Sequence, residues 1–261
     1  MIQEENQRMK KAIAVLLCLL TLVANAWAFS EETPARLPDE TLMSFYDQSV
    51  FAGDSTIRMF RNYVKERQEK EPSYFSGIRF YSAYSIQLRT LGLEWVNSEL
   101  TNLTYKGSDE VLCEIVQRIK PEKVFILAGL NDNFAKEKNG EGIDRGMRYV
   151  GNIMKAINKH APGTQVFFFS LTPVTQKVED TRHIQALWDQ YNERLEQTCL
   201  ELGATYIDIA SALKDENGLL PKSITSEGEY HLNAEGNAIW AQVLLDFAQA
   251  QYEAGLWSPV Q

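Results

Sequence analysis

The chain has 261 residues, of which 44% are hydrophobic, and a formal net charge of −9 at pH 7. This length and apolar content are enough for one sizeable hydrophobic core, and therefore for a single domain with short extensions. The negative charge argues against electrostatic binding to nucleic acid or to an anionic surface.

The first residues have the pattern of a secretory signal peptide. A basic Met-Lys-Lys sequence at residues 9–11 precedes an apolar run at 12–24, and Ala-Trp-Ala follows at 26–28. A basic start, a short apolar core and an A-x-A site are typical of such signals. The run is short for a membrane span. We expect cleavage after residue 28 and a secreted or cell-envelope protein without stable membrane insertion; an uncleaved anchor is the alternative.

After the signal, strand-like and helix-like runs alternate. Residues 29–45 contain prolines in a charged setting and are predicted to be an N-terminal arm, and residues 46–255 are predicted to be the folded domain. The strand-like runs are Ser49–Ala52, Ile78–Ala83, Lys123–Ala128, Gln165–Leu171 and Ala204–Ile209. The helix-like runs are Ile57–Glu69, Asp109–Lys120, Gly142–Lys159, Thr181–Leu202 and Asn233–Gln251. This alternation predicts an α/β domain, a three-layer α/β/α sandwich around a central parallel sheet.

The cysteines and histidines do not suggest a disulfide framework or a metal site. Cys113 and Cys199 are the cysteines beyond the signal, and each lies on the apolar pattern of a predicted helix. We therefore expect two buried free thiols. No Cys/His cluster has zinc spacing and no H-E-x-x-H occurs, so neither a metal nor another cofactor is expected.

Polar residues follow three of the predicted strands. Ser55 ends a Gly-Asp-Ser sequence directly after the first strand, Asn131 lies in Gly-Leu-Asn-Asp after the third, and His231 comes after the fifth strand and a long loop. The carboxyl ends of parallel strands in an open sheet meet at one crevice, where such folds bind ligands. We therefore expect these three residues to lie together although they are distant in sequence.

These residue types suit acyl transfer. Serine is a poor nucleophile until a base takes its proton, and His231 is the candidate base because it lies in a polar segment on the strand-end side. His160 and His183 are expected to have surface or helix-capping roles. The Ser55 amide and the Asn131 side chain are candidate oxyanion donors. Each residue also has a structural interpretation: a helix N-cap for Ser55, a turn residue for Asn131 and a surface histidine for His231.

Together the three segments resemble the SGNH hydrolases, also called GDSL esterases. Gly-Asp-Ser at 53–55 matches the first block, although Thr56 stands where the family's name has leucine. Residues 129–132 match the third block, and residues 231–236 match the last block and the helix after it. The resemblance extends from about residue 49 to residue 247.

The resemblance implies a flavodoxin-like SGNH hydrolase fold and serine esterase activity. In that family the serine of the first block is the nucleophile and the histidine of the last block is the base, which are Ser55 and His231 here. The Ser55 amide and Asn131 would form the oxyanion hole. The family's second block also supplies a glycine amide, but residues 80–85 contain no glycine. The amide of Ala83 or of Tyr84 is the candidate replacement.

The triad acid also departs from the family pattern. The family commonly has an aspartate three residues before the histidine, and that position here is Gly228. Glu227 is ranked first as the replacement because a tight turn at Gly228 would bring it to the ring. Glu229 is ranked second, since two-residue spacing in an extended segment places side chains on the same side. A Ser55–His231 dyad without an acid is the third possibility.

The function that these residues indicate is that of an exported serine ester hydrolase. Its expected substrate is a small-molecule or carbohydrate ester, either an O-acetyl carbohydrate or a short-chain acyl ester. Two alternatives remain at this stage. One is a non-catalytic ligand-binding protein that keeps the fold, for which the missing glycine and the displaced acid would be natural. The other is an O-acetyltransferase that uses the same serine and histidine.

Overall fold

The computed structural model describes residues 35–105, 108–132, 134 and 141–259. The predicted signal peptide and the first residues of the predicted arm lie outside this described part. None of the helices within it has both the length and the hydropathy that a membrane span requires.

A five-stranded parallel sheet forms the centre of the domain. Its strands are β1 (Ser49–Gly53), β2 (Ile78–Ser82), β5 (Lys123–Leu127), β6 (Gln165–Phe169) and β7 (Thr205–Ile207), in the order β2-β1-β5-β6-β7. All four neighbouring pairs are parallel. A separate antiparallel hairpin pairs β3 (Leu103–Tyr105) with β4 (Ser108–Glu110). The predicted parallel α/β sheet is confirmed.

Helices connect and cover the strands. The described helices are α1 (Asp39–Met43), α2 (Ser55–Gln68), α3 (Leu88–Leu91), α4 (Leu112–Ile119), α5 (Glu141–His160), α6 (Gln176–Arg182), α7 (Gln185–Leu202), α8 (Ala210–Leu213) and α9 (Ala234–Glu253). Short 3₁₀ turns occur at Ser44–Tyr46 and Lys222–Ile224. The last residues of the predicted arm are thus helical, and Leu42 and Phe45 are buried.

Two hydrophobic cores lie on opposite faces of the sheet. Alternate side chains of β5 enter different cores: Val124 and Ile126 pack with residues of α4, α5 and α7, whereas Phe125 and Leu127 pack with residues of α2 and α9. This alternation follows from the period of two in a strand. Apolar side chains on both faces require helices on both sides, which gives the three-layer sandwich.

The structure confirms the prediction for the cysteines and corrects two predicted helix boundaries. Cys113 and Cys199 are buried free thiols, as predicted. Asp109 was expected to begin a helix but lies in β4. The single helix predicted at 181–202 is in fact two helices, because His183 adopts a left-handed conformation (φ 48°) that ends α6 before α7 begins. Apolar periodicity continues through this break, so the pattern alone does not reveal it.

Candidate active site

A tight turn between β1 and α2 places Ser55 at the carboxyl edge of the sheet. The Gly53 α-carbon approaches the neighbouring strand so closely that a Cβ would lie 2.0 Å from the Leu127 carbonyl oxygen. The next amide, that of Asp54, donates to the same oxygen at 3.2 Å. Only glycine permits this approach, and the turn that it allows brings the serine to the end of β1.

Asp54, rather than Ser55, is the N-cap of α2. The Asp54 Oδ1 accepts a hydrogen bond from the Thr56 amide at 2.8 Å, and Ser55 is the first helical residue. The serine hydroxyl therefore does not cap the helix, and the alternative interpretation of Ser55 as a helix N-cap is wrong. The Ser55 amide belongs to the first helical turn, whose amides have no acceptor within the helix.

The Ser55 hydroxyl lies within hydrogen-bond distance of His231, which is distant in sequence. Its Oγ lies 2.8 Å from His231 Nε2, across 176 residues of sequence. Ser55 is only 8% exposed, so the hydrogen bond is largely shielded from water. A serine within hydrogen-bond reach of an imidazole nitrogen is the arrangement that activates a nucleophile.

Glu227 contacts the other nitrogen of the His231 ring. Its Oε1 lies 3.1 Å from His231 Nδ1, and the same oxygen accepts from the backbone amides of Tyr230 and His231 at 3.2 and 2.8 Å. Gly228 supplies the turn with a φ of 76°. Burial acts to raise the pKa of Glu227, but hydrogen bonds from Ser226 and from these amides, together with the nearby imidazole, hold that pKa below its usual value. The carboxylate is therefore ionised and positioned against the ring.

Glu229, the other candidate acid, points elsewhere. Its Oε1 lies 2.9 Å from Lys177 Nζ on α6, and its backbone carbonyl accepts from the Thr175 amide at 2.9 Å. These contacts tie the segment before His231 to the start of α6. Of the two glutamates, the geometry brings Glu227 to the histidine and gives Glu229 a supporting position.

Asn131 follows β5 beside the serine turn, since β1 and β5 are neighbouring strands. Its side-chain Nδ2 donates to the Ile86 carbonyl at 3.2 Å, and its own backbone carbonyl accepts from Gln87 Nε2 at 2.9 Å. The amide group has two N–H bonds. With one directed to Ile86, the second is available for a substrate oxygen.

The loop after β2 has no glycine, so the amides of Ala83 and Tyr84 are the candidates to replace the family's glycine amide. The Ala83 amide donates to the Gly53 carbonyl at 3.1 Å and so continues the β1–β2 ladder. The expectation that Ala83 serves as an oxyanion donor therefore disagrees with this geometry. Tyr84, the other candidate, comes next, and its exposed ring lies under the Arg58 guanidinium at 4.4 Å.

Comparison with known proteins agrees with this arrangement. The sequence model of the "GDSL-like Lipase/Acylhydrolase family" matches residues 51–239, which is more than half of the chain. The chain belongs to this family. It is accordingly a serine ester hydrolase, as the resemblance implied. No curated protein sequence matches the chain significantly.

Solved structures show the same fold. A GDSL-like lipase from Bacteroides thetaiotaomicron is 15% identical, with a TM-score of 0.58 and coverage of 87% of this chain and 97% of the other. An acetylxylan esterase from Geobacillus stearothermophilus is 17% identical, with a TM-score of 0.53 and coverage of 77% and 93%. At these identities the likeness concerns the fold, and it confirms the predicted fold class.

Two buried carboxyl groups lie behind the hydrolase site. Burial raises the pKa of Asp54 to about 7, against the opposing effect of the Thr56 amide and hydroxyl. Burial likewise raises the pKa of Asp132 to about 6, although the Leu88 amide and two arginines act to lower it. Asp132 Oδ2 accepts from that amide at 2.9 Å, which fastens the Asn131 turn to α3.

A cavity of about 410 Å³ lies beside Asn131. The lining residues are Gly129, Leu130, Asn131, Asp132, Phe134, Arg182, Ile184 and Trp188. Trp188 packs edge-on against Tyr230 at 6.5 Å, and Tyr230 in turn lies 4.7 Å from the His231 ring. A larger cavity of about 520 Å³ includes Lys123, Gln165 and Thr205, the first residues of three strands, and so lies at the opposite edge of the sheet.

The cavity wall contains residues that the sequence did not single out. Arg182 and Trp188 fall within what the sequence predicted as one continuous helix, where Trp188 fits the apolar periodicity of a core position. Their place beside Asn131 depends on the break at His183. No local pattern indicates this placement, because it depends on the direction in which α7 leaves the turn.

Proposed function

We propose that this hydrolase cleaves acyl esters with Ser55 as nucleophile, His231 as general base and Glu227 as the orienting acid. The observation that carries the proposal is the chain of contacts from Ser55 Oγ to His231 Nε2 at 2.8 Å and from His231 Nδ1 to Glu227 Oε1 at 3.1 Å. Nucleophile, base and orienting carboxylate thus lie in the sequence of contacts that acyl transfer requires.

In the first half-reaction, Ser55 Oγ attacks the ester carbonyl carbon while His231 Nε2 takes the hydroxyl proton. The carbonyl oxygen becomes an oxyanion, for which the Ser55 amide, the second Asn131 N–H and the Tyr84 amide are the proposed donors. When the bond to the leaving oxygen breaks, the imidazolium gives its proton to the departing alcohol. The product of this step is an acylated Ser55.

In the second half-reaction, His231 takes a proton from water, and the resulting hydroxide attacks the acyl-enzyme carbonyl. The bond to Ser55 Oγ then breaks, the serine recovers its proton from the imidazolium, and the carboxylic acid leaves. Glu227 holds the ring with Nδ1–H directed toward it and stabilises the imidazolium formed in both halves. Its lowered pKa keeps it ionised throughout.

The proposed substrate is an O-acetyl carbohydrate or another short acyl ester outside the cytoplasm. The signal-like pattern in residues 1–28 supports secretion or transfer to the cell envelope. The fold shared with an acetylxylan esterase is compatible with a carbohydrate ester. An N-terminus at Phe29 in material recovered outside the cytoplasm is the expected result of export, whereas retention of residues 9–28 would contradict cleavage.

The Ser55→Ala variant tests the proposed nucleophile. We expect it to fold normally, to lose nearly all turnover of p-nitrophenyl acetate, and to escape labelling by a fluorophosphonate. Loss of a triad nucleophile costs a factor on the order of a million in subtilisin, so only background hydrolysis should remain. Ser211→Ala, on a surface helix, is the control. Equal turnover by Ser55→Ala and the wild-type enzyme would refute the assignment.

A variation of the ester assay distinguishes hydrolysis from acyl transfer to a sugar. An acceptor sugar added to the assay competes with water for the acyl-enzyme if the second half-reaction is an acetyltransfer. Formation of an acetylated sugar in preference to acetate would identify the chain as an acetyltransferase with the same serine and histidine. Release of acetate alone would support the hydrolase.

A further inference from the structure

Arg182, which has no ion-pair partner among the described residues, stands at the wall of the cavity beside Asn131. Arg182 is the last residue of α6 and lines this cavity with Trp188 and Phe134. Within the described part of the chain its guanidinium has no hydrogen bond and no carboxylate within ion-pair distance. Lys177, near the start of the same helix, is by contrast paired with Glu229 at 2.9 Å.

Arg182 is exposed, in a chain that is rich in carboxylates. The chain has 35 acidic and 26 basic side chains, so a surface arginine has many possible carboxylate neighbours. The carboxyl group on the cavity wall, that of Asp132, is 9% exposed and directs Oδ2 to the Leu88 amide. Among the described residues of its wall, the cavity therefore presents a cation without an accessible counter-ion.

A second cationic cavity lies on the other side of Asp132. It has a volume of about 250 Å³ and is lined by Gln87, Arg89, Asp132, Arg145 and Tyr149. Both arginines act on Asp132 by lowering its pKa, against the larger effect of burial. The rim next to Asn131 thus carries positive charge in two adjoining cavities, although the chain as a whole is acidic.

We infer that the cavity beside Asn131 binds a carboxylate of the ester substrate, with Arg182 as its counter-ion. Here the inference rests on the proposed function, because it assigns the charge of the substrate that Ser55 attacks. A guanidinium matches a carboxylate with two parallel N–H donors, and Trp188 and Phe134 supply apolar surface for the neighbouring part of the substrate. Positive charge at the rim would also attract such a substrate at low ionic strength.

The carboxylate has two possible sources, which matched substrates separate. If it belongs to the acyl group, mono-p-nitrophenyl succinate should be preferred over p-nitrophenyl acetate. If it belongs to the alcohol, an O-acetylated methyl galacturonoside should be preferred over the O-acetylated methyl galactoside. We expect the preference in kcat/KM for one anionic substrate to decrease as salt screens the charges.

The decisive variant is Arg182→Gln, with Arg182→Lys and Arg182→Glu as graded changes. The anionic-to-neutral ratio of kcat/KM should fall roughly three- to tenfold in Arg182→Gln, mainly through KM, as expected for an exposed ion pair. Arg182→Lys should restore part of the ratio and Arg182→Glu should lower it further. Arg194→Gln removes the same charge from an arginine that contacts Glu201 on α7, and should leave the ratio unchanged.

Two results would overturn the inference. One is a wild-type enzyme that hydrolyses neutral and anionic esters equally. The other is an Arg182→Gln variant in which both kinds of ester lose activity in the same proportion, since that result would mean that Arg182 only stabilises the end of α6. A failure of the proposed function is distinguishable, because the wild-type enzyme would then hydrolyse no ester.

Calorimetric binding to Ser55→Ala provides a readout that does not depend on turnover. Monomethyl succinate or methyl galacturonoside should bind more tightly than dimethyl succinate or methyl galactoside, respectively. Arg182→Gln in the same background should abolish that difference. Equal binding of the charged and neutral compounds would contradict the inference even if esters are hydrolysed.

Discussion

In the proposed triad, the Glu227 carboxylate holds the His231 ring in one tautomer and stabilises the imidazolium that forms during the reaction. Glu227→Gln keeps the size of the side chain but removes the charge, so we expect kcat/KM to fall by about a hundredfold to ten-thousandfold. Loss of the negative charge disfavours the imidazolium that forms in both half-reactions. Turnover of p-nitrophenyl acetate by the variant and the wild-type enzyme under the same conditions measures the loss.

Glu229→Gln is the matched control for this change. Its carboxylate contacts Lys177 rather than the ring, so the variant should keep a near-normal rate. A large loss in Glu229→Gln with little loss in Glu227→Gln would reverse the assignment. Little change in either variant would support a Ser55–His231 dyad.

At the level of residues, the sequence was informative where short motifs lie at strand ends. Ser55, Asn131 and His231 could be selected because each follows a strand and has a side chain suited to one role. The choice between Glu227 and Glu229 was harder, since it depends on the turn at Gly228, where a φ of 76° brings the earlier glutamate to the ring. The engagement of the Ala83 amide by β1 could not be foreseen from residue types, because it follows from the strand register.

At the level of elements, the N-cap of α2 links the site to the pH dependence of stability. Asp54 has a pKa of about 7 in the folded protein and 3.8 in the reference state. The folded state therefore binds more protons than the unfolded state between these values. The stability from the protonated group is complete below about pH 3.8 and is lost as pH rises through 7.

Asp54→Asn should reduce the dependence of folding stability on pH. Asparagine is neutral at every pH in the range and keeps an oxygen for the Thr56 amide, so the cap is retained. We expect the decrease in melting temperature between pH 5 and pH 8 to be smaller in the variant than in the wild-type protein. Asp132, with its pKa raised to about 6, should maintain part of the slope.

Asp215→Asn serves as the control for that measurement. Asp215 also accepts backbone hydrogen bonds, from Asn217 and Leu219, but it is exposed. Its substitution should leave the pH slope as in the wild-type protein. Identical slopes for Asp54→Asn and the wild-type protein would show that Asp54 is ionised in the folded state at neutral pH.

The elements themselves were predictable to different degrees. The five sheet strands were located to within a few residues. Continuous apolar runs such as 166–169 are typical of parallel strands that are buried on both faces. Helix boundaries were less accurate, since periodicity persists across the left-handed residue His183. The short helix α3 and the β3–β4 hairpin were not predicted, because three or four residues carry too little pattern to be recognised.

For the whole molecule, the parallel topology is what brings Ser55 and His231 together. The serine precedes α2 and the histidine precedes α9, and both helices cover the same face of the sheet. Phe60 of α2 stacks on Trp240 of α9 with ring centroids 4.5 Å apart, and Phe169 of β6 lies 5.2 Å from the same indole. Trp240 thus packs against α2, the helix that follows Ser55, and against the sheet, while its own helix follows His231.

The packing of Trp240 predicts that a cavity in the core beneath α2 and α9 lowers catalytic activity more than a cavity in the core on the opposite face of the sheet. Trp240→Ala should reduce the free energy of unfolding by about 3–5 kcal/mol and Ile157→Ala, in the opposite core, by about 2–5 kcal/mol. At a temperature where circular dichroism shows both variants folded, kcat/KM per folded molecule should fall in Trp240→Ala but not in Ile157→Ala. Trp240→Phe provides a milder change should the alanine variant fail to fold. Equal specific activity in all three variants would mean that the Ser55–His231 distance is set by the local turns alone.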